Sequence, residues 1–165
     1  MLSQSLWCRL SYQLGAVATV LGDAPEAVIT AAGPDGSWSA HHHIAHLARM
    51  HEVLLERVRR ILREDAPSLP GYQAEEDPEW PQWVARPPRE VLTRLQALRG
   101  ELLGVVRGLS AAQLDRAATH ARLGRLQVPA WLEVFCLHEG HHLHAAWERL
   151  AEARRGDHHE IPRGE

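Results

Sequence analysis

Apolar residues recur at helical spacing in four long segments of the chain. Over about residues 3–21, Leu6, Leu10, Leu14, Val17 and Leu21 share one face. Residues 22–36, rich in glycine, proline and aspartate, end that pattern. A second helix is predicted from near Ser37, taken as its N-cap, to about residue 63, with a stripe of Ile44, Leu47, Leu54, Val58 and Ile61 or Leu62. Residues 65–88 hold six prolines together with Trp80 and Trp83, which argues against regular helix and predicts a long ordered loop. The Pro87-Pro88 pair opens a third helix carrying Leu92, Leu95, Leu98, Leu102 and Val106. Ser110 caps a short helix, Gly124 marks a turn, and a fourth long helix runs from near Val128 to about residue 155. A polar, frayed tail follows from residue 156. No strand pattern, repeat or second domain stands out. The expectation is therefore all-α: one domain over residues 1–165, with a core of about 3–155, in which four amphipathic helices bury their stripes as a four-helix bundle.

Composition narrows the classes. A chain of 165 residues suits one domain with a proper core. Net charge is −3 and no basic stripe is evident, which argues against a nucleic-acid partner. Gln4, Arg9, Ser11 and Gln13 interrupt the apolar N-terminal segment, so it reads as an amphipathic helix and not as a leader or membrane span. Cys8 and Cys136 lie in different predicted helices and make no disulfide framework, so a reducing, cytoplasmic location is expected.

Histidine changes the picture. There are 12, nine of them clustered as His41, His42, His43, His46 and His51, then His138, His141, His142 and His144, with His120, His158 and His159 apart. On the fourth helix, steps of three and four from Trp131 reach Phe135, His138 and His142, so two imidazoles one turn apart lie on the core-facing stripe. That spacing lets both bind one metal ion. On the second helix His46 flanks the apolar stripe, and His43 can face inward beside it. His41 and His42 read as residues of an exposed helix start, and the two loop tryptophans as packing residues. His138-Glu139-Gly140-His141-His142 also satisfies H-E-x-x-H, the zinc-peptidase pattern whose glutamate is a general base. The strand that such a site needs to align a peptide is not evident, which leaves peptidase as a minor reading.

Three further pieces, in order, resemble the DinB/YfiT-like superfamily of four-helix-bundle metalloproteins. Trp38-Ser39 followed by His43-Ile44-Ala45-His46-Leu47-Ala48 is similar to its "W…HLA" second helix. The run from Leu123-Gly124-Arg125 to Trp131-Leu132 resembles the entry to its last helix, and Cys136 through Leu143 its "H-x-x-H-H" run. The resemblance implies a divalent transition metal, zinc or nickel first, held by one histidine of the second helix and two of the last. On this chain those are His46, His138 and His142, and the resemblance supplies the choice of His46 over His43. It also implies an enzyme acting on a small molecule: a transferase that activates a low-molecular-weight thiol for attack on an electrophile, as bacillithiol-type S-transferases and mycothiol-dependent isomerases do, or a metal-dependent hydrolase. Glu139 would then be a residue behind the ligands or a general base. A stress-response binding module with a structural metal is the non-enzymatic alternative, and a homodimer is family habit. His51, five residues after His46, departs from the acidic residue common nearby, and mid-helix Gly140 suggests that something packs closely against it.

Overall fold

The computed structural model describes residues 1–33 and 36–157. The predicted tail lies largely outside them. Helix α1 (Gln4–Tyr12) starts at Ser3, whose hydroxyl accepts from the Leu6 N–H. A 3-10 turn at Gln13–Gly15 then breaks the predicted first helix, and α2 (Ala16–Leu21) completes it. The connecting segment contains α3 (Glu26–Thr30). Helix α4 (Ala40–Arg63) begins two residues later than the sequence suggested, because Ser39 and not Ser37 is its cap. The Ser39 hydroxyl accepts from the His42 N–H at 3.2 Å and faces His42 Nδ1 at 2.7 Å, so a histidine fills the place that glutamate or glutamine takes in a capping box.

The proline-rich stretch is more ordered than its composition implied. It contains a two-residue strand β1 (Ser68–Leu69), a 3-10 turn and the short helix α5 (Trp80–Ala85). Pro81 is tolerated there because it sits in the first turn, where its missing N–H has no partner to lose. Helix α6 (Pro88–Arg107) starts at Pro88, as expected. The short helix α7 (Ala111–Leu114) is capped by Ser110. Next comes a hairpin, β2 (Ala117–His120) with β3 (Gly124–Gln127), and β1 pairs parallel to β2 with Ser68 opposite Thr119. This small sheet corrects the expectation of no strands. Its strands are two to four residues long, too short for alternation to show in sequence. Helix α8 runs Val128–Asp157, past the glycine where the tail was expected to begin.

The long helices α4, α6 and α8, with the α1–α2 pair, make an all-α four-helix bundle around Leu10, Leu47, Val58, Leu95, Leu102 and Leu132, all essentially inaccessible. Among the described residues no helix is long and apolar enough to cross a membrane.

Polar groups cross this core. Arg99 of α6 donates from Nε to His51 Nε2 at 3.0 Å, from Nη1 to the Leu10 carbonyl at 2.6 Å, and from Nη2 to the Glu139 carboxylate. Gln13 donates to the other oxygen of Glu139 at 3.0 Å and to the Cys136 carbonyl at 2.8 Å. His51 Nδ1 donates to the Leu47 carbonyl at 2.7 Å, which fixes its tautomer and leaves Nε2 as the acceptor. One network therefore ties together residues from all four parts of the bundle.

Candidate metal centre

Helices α4 and α8 lie face to face, and the histidine-bearing turns of each meet. Among the described residues, one group of side chains offers ligand atoms mutually within 4.8 Å: His46, His138 and His142. The Nε2 atoms of His46 and His142 each lie 3.1 Å from His138 Nε2. A tetrahedral ion with metal–nitrogen bonds of about 2.0–2.1 Å separates its ligands by about 3.3 Å, so this spacing fits a zinc- or nickel-sized cation. Three converging Nε2 atoms have few other ways to be satisfied. Among the described residues the buried Nδ1 atoms of His46 and His138 have no protein partner, so no hydrogen bond there dictates that the facing nitrogens carry the protons.

His43 stands behind the group. Its Nδ1 lies 2.9 Å from Nδ1 of His142. With His142 protonated on Nδ1, that nitrogen donates to His43 and the Nε2 lone pair is aimed at the centre. Trp38 covers the same side, with its ring 5.2 Å from His46 and 5.3 Å from His43, and stacks on Trp80 at 5.1 Å. Trp80 is thus a lid residue of the site, whereas Trp83 is core.

On the other side His46 and His138 open onto a cavity of about 410 Å³, floored by Met50, Leu54 and Phe135.

The remaining histidines separate by role. His41, expected to be exposed, is 4% accessible and its Nε2 meets the Val84 carbonyl at 3.0 Å, docking α5 on α4. His42 caps α4, and His51 belongs to the core network. His141 and His144 are exposed. Glu139, set in sequence between the α8 histidines, is fully buried and its carboxylate is held by Arg99 and Gln13. A side chain on Gly140 would meet only Gln13 Nε2, at 3.8 Å, so no close packing demands glycine there. Arg99 and Gln13 were missed by the sequence reading; the available signal was an arginine set among Leu95, Leu98 and Leu102.

Burial, reinforced by neighbouring histidines, pushes His142 down to about 2, His46 to about 3 and His138 to about 4. Burial and the Arg99 charge push His51 down to about 3. The unfolded chain titrates these groups near 6.5 and so binds more protons than the folded one below that value. Stability is then complete above about pH 6.5 and falls with acidification, each such histidine contributing up to about tenfold in the folding equilibrium per pH unit. Chelator-treated protein should accordingly show a thermal midpoint that is flat from about pH 8 to 7 and drops between about pH 6.5 and 4.5, before most carboxylates titrate. A midpoint constant across that window would mean the imidazoles are not held neutral.

The model of the DinB superfamily matches residues 9–146. A protein of Oceanobacillus iheyensis, described as a candidate metal-dependent hydrolase, is 22% identical over 114 residues, covering 66% of this chain and 62% of that protein. The match thus spans less than two thirds of that relative's length. YfiT from Bacillus subtilis, described as a probable metal-dependent hydrolase with an unusual four-helix bundle topology, superposes with a TM-score of 0.73 at 20% identity, covering 94% of this chain and 89% of that one. The matched family model, which reaches from α1 into α8 and includes all three converging histidines, places this chain in the DinB superfamily.

Proposed function

We propose that the protein is a metal-dependent enzyme for a small molecule, with His46, His138 and His142 as ligands of zinc or nickel. The observation that carries this reading is the shared position of His46 and His138, which belong both to the histidine triad and to the wall of the cavity. Three protein ligands leave coordination positions free, as catalytic sites do and closed structural sites do not. When bound, such an ion lowers the pKa of a coordinated thiol or water and so supplies a nucleophile at neutral pH. The chain's own residues do the rest. His43 orients His142, Trp38 and Trp80 keep water from one side, and the apolar cavity admits the substrate from the other.

Transfer of a small thiol is the leading reaction. Among the described residues no carboxylate joins the triad, and Glu139 is occupied by Arg99, so no general base of the H-E-x-x-H kind faces the centre. With an ion held by His46, His138 and His142 to supply the acidity, thiol transfer would need no such base. The sulfur forms a bond to the electrophilic carbon, the leaving group departs with its electron pair, and the thiol proton goes to solvent. Metal-dependent hydrolysis is the second reading, favoured by the descriptions of the two related proteins. Zinc- or nickel-loaded protein should accelerate bimane adduct formation from monochlorobimane and a low-molecular-weight thiol, with release of chloride, and lose that activity on chelation. Cleavage of p-nitrophenyl acetate without adduct formation would favour hydrolysis. Metal binding that raises the melting temperature with neither turnover would leave a structural metal.

A further inference from the structure

The far wall of the cavity carries charge of one sign. Arg57 of α4 and Arg122 of the β2–β3 turn line it, together with His120, and none of its lining residues is acidic. Among the described residues neither arginine forms a salt bridge. Arg57 is nonetheless held in place: Nη2 donates to the Pro70 carbonyl at 2.7 Å and the guanidinium lies over the Trp131 ring, 5.4 Å from its centroid. His120 accepts the backbone N–H groups of Arg122 and Leu123 on Nδ1, at 3.0 and 3.2 Å. Its proton therefore sits on Nε2, which is a donor. The His120 ring also packs edge-on against Trp131, at 5.4 Å, so Arg57 and His120 both pack on this one indole. Burial first, and then the Arg57 and Arg122 charges, lower the His120 pKa and favour its neutral form.

Arg57 is half-buried and Arg122 exposed, and a half-buried guanidinium without a carboxylate, at the edge of an otherwise apolar cavity, is an incomplete arrangement. Arg57 already bonds a neutral carbonyl, so what the wall lacks is an anion. The cavity volume lies at the lower end of the range for small-molecule sites, which limits the occupant to one small body.

We propose that this cavity takes a small organic carboxylate with an apolar body: Arg57, Arg122 and His120 Nε2–H hold the carboxylate, and the reacting end lies against His46 and His138. The assignment rests on the metal-dependent reading above for the reacting end, but the carboxylate subsite stands on residues that are not ligands.

The test compares 3-phenylpropanoate with its uncharged isostere 3-phenylpropanamide by titration calorimetry, on metal-loaded and on chelator-treated protein. Wild type, R57M and R122E are used, with metal content measured on each preparation. Arg122 is exposed and, among the described residues, its side chain forms no salt bridge or hydrogen bond, so R122E serves as the variant that folds normally. Charge-assisted bonds predict that the acid binds at least about tenfold more tightly than the amide, with and without metal. R57M should reduce that preference and R122E should abolish it, while metal content stays at the wild-type level. Equal affinity for both probes, no binding of either up to about 10 mM, or a preference that survives R122E overturns the proposal. A preference that vanishes with the metal but survives R122E also overturns it, since the carboxylate is then on the ion. If wild type holds no metal yet the acid preference tracks Arg122, the subsite stands and the metal reading alone fails.

Discussion

Replacing His46, His138 or His142 by alanine, one at a time, is expected to remove nearly all bound metal. Wild-type protein loaded with zinc or nickel and desalted should retain about one equivalent, and each variant less than about a tenth of that. Both spacings to His138 Nε2 are 3.1 Å, so the three ligands contribute alike and no two of them make a complete site. The variants should still fold, because alanine is a good helix former and each change removes a buried imidazole without leaving an unpaired charge. His43→Ala separates ligation from orientation. It removes the partner 2.9 Å from His142 Nδ1 but none of the converging nitrogens. Affinity should fall by about 10–100-fold while one equivalent still binds at saturating metal. Metal content by mass spectrometry, with affinity from a chromophoric chelator competition, reads both. Full retention in any triad variant would move the third ligand elsewhere, and complete loss in the His43 variant would make that residue a ligand.

The two histidines of α8 were legible because an i, i+4 pair on an apolar stripe has its phase set by one helix alone. On α4 the phase was not decisive. His43 and His46 both face α8, and which one points its Nε2 into the cluster depends on the distance and angle between helices. Only packing shows that His43 meets the back of His142. The bundle was legible in its four stripes, whereas the β1–β2–β3 sheet was not, since β1 pairs with residues some 50 positions away and all three strands are too short to show a period. The start of α4 shifted for a local reason: His42 returns a bond to Ser39, a role that sequence rules assign to glutamate or glutamine. Glu139 was the hardest residue to read. Its place in H-E-x-x-H gave it a catalytic spacing, and its partners, Arg99 and Gln13, lie 40 and 126 residues away.

Those partners set the second large effect. Glu139→Ala is expected to destabilise the fold by about 3–5 kcal/mol, because it leaves the Arg99 guanidinium buried without its counter-charge. Glu139 is fully buried and Arg99 is 5% exposed, so water cannot replace the lost partner. Burial raises the Glu139 carboxyl, and the Arg99 charge and the Gln13 amide pull it back. The ionised pair is thus held by its hydrogen bonds and not by a favourable medium. Glu139→Gln should cost less, since the amide oxygen still accepts one bond although the charge is gone. Removing both charges should cost least: Arg99→Met with Glu139→Leu fills the volume with apolar groups and should recover most of the loss, a coupling that a double-mutant cycle in urea would measure. A general base predicts the opposite pattern, with little change in stability and a large loss of turnover in folded, metal-loaded protein. In the buried-pair reading the folded fraction of Glu139→Gln keeps its metal, because the carboxylate serves the joint between α1, α6 and α8 that keeps the α8 histidines facing His46.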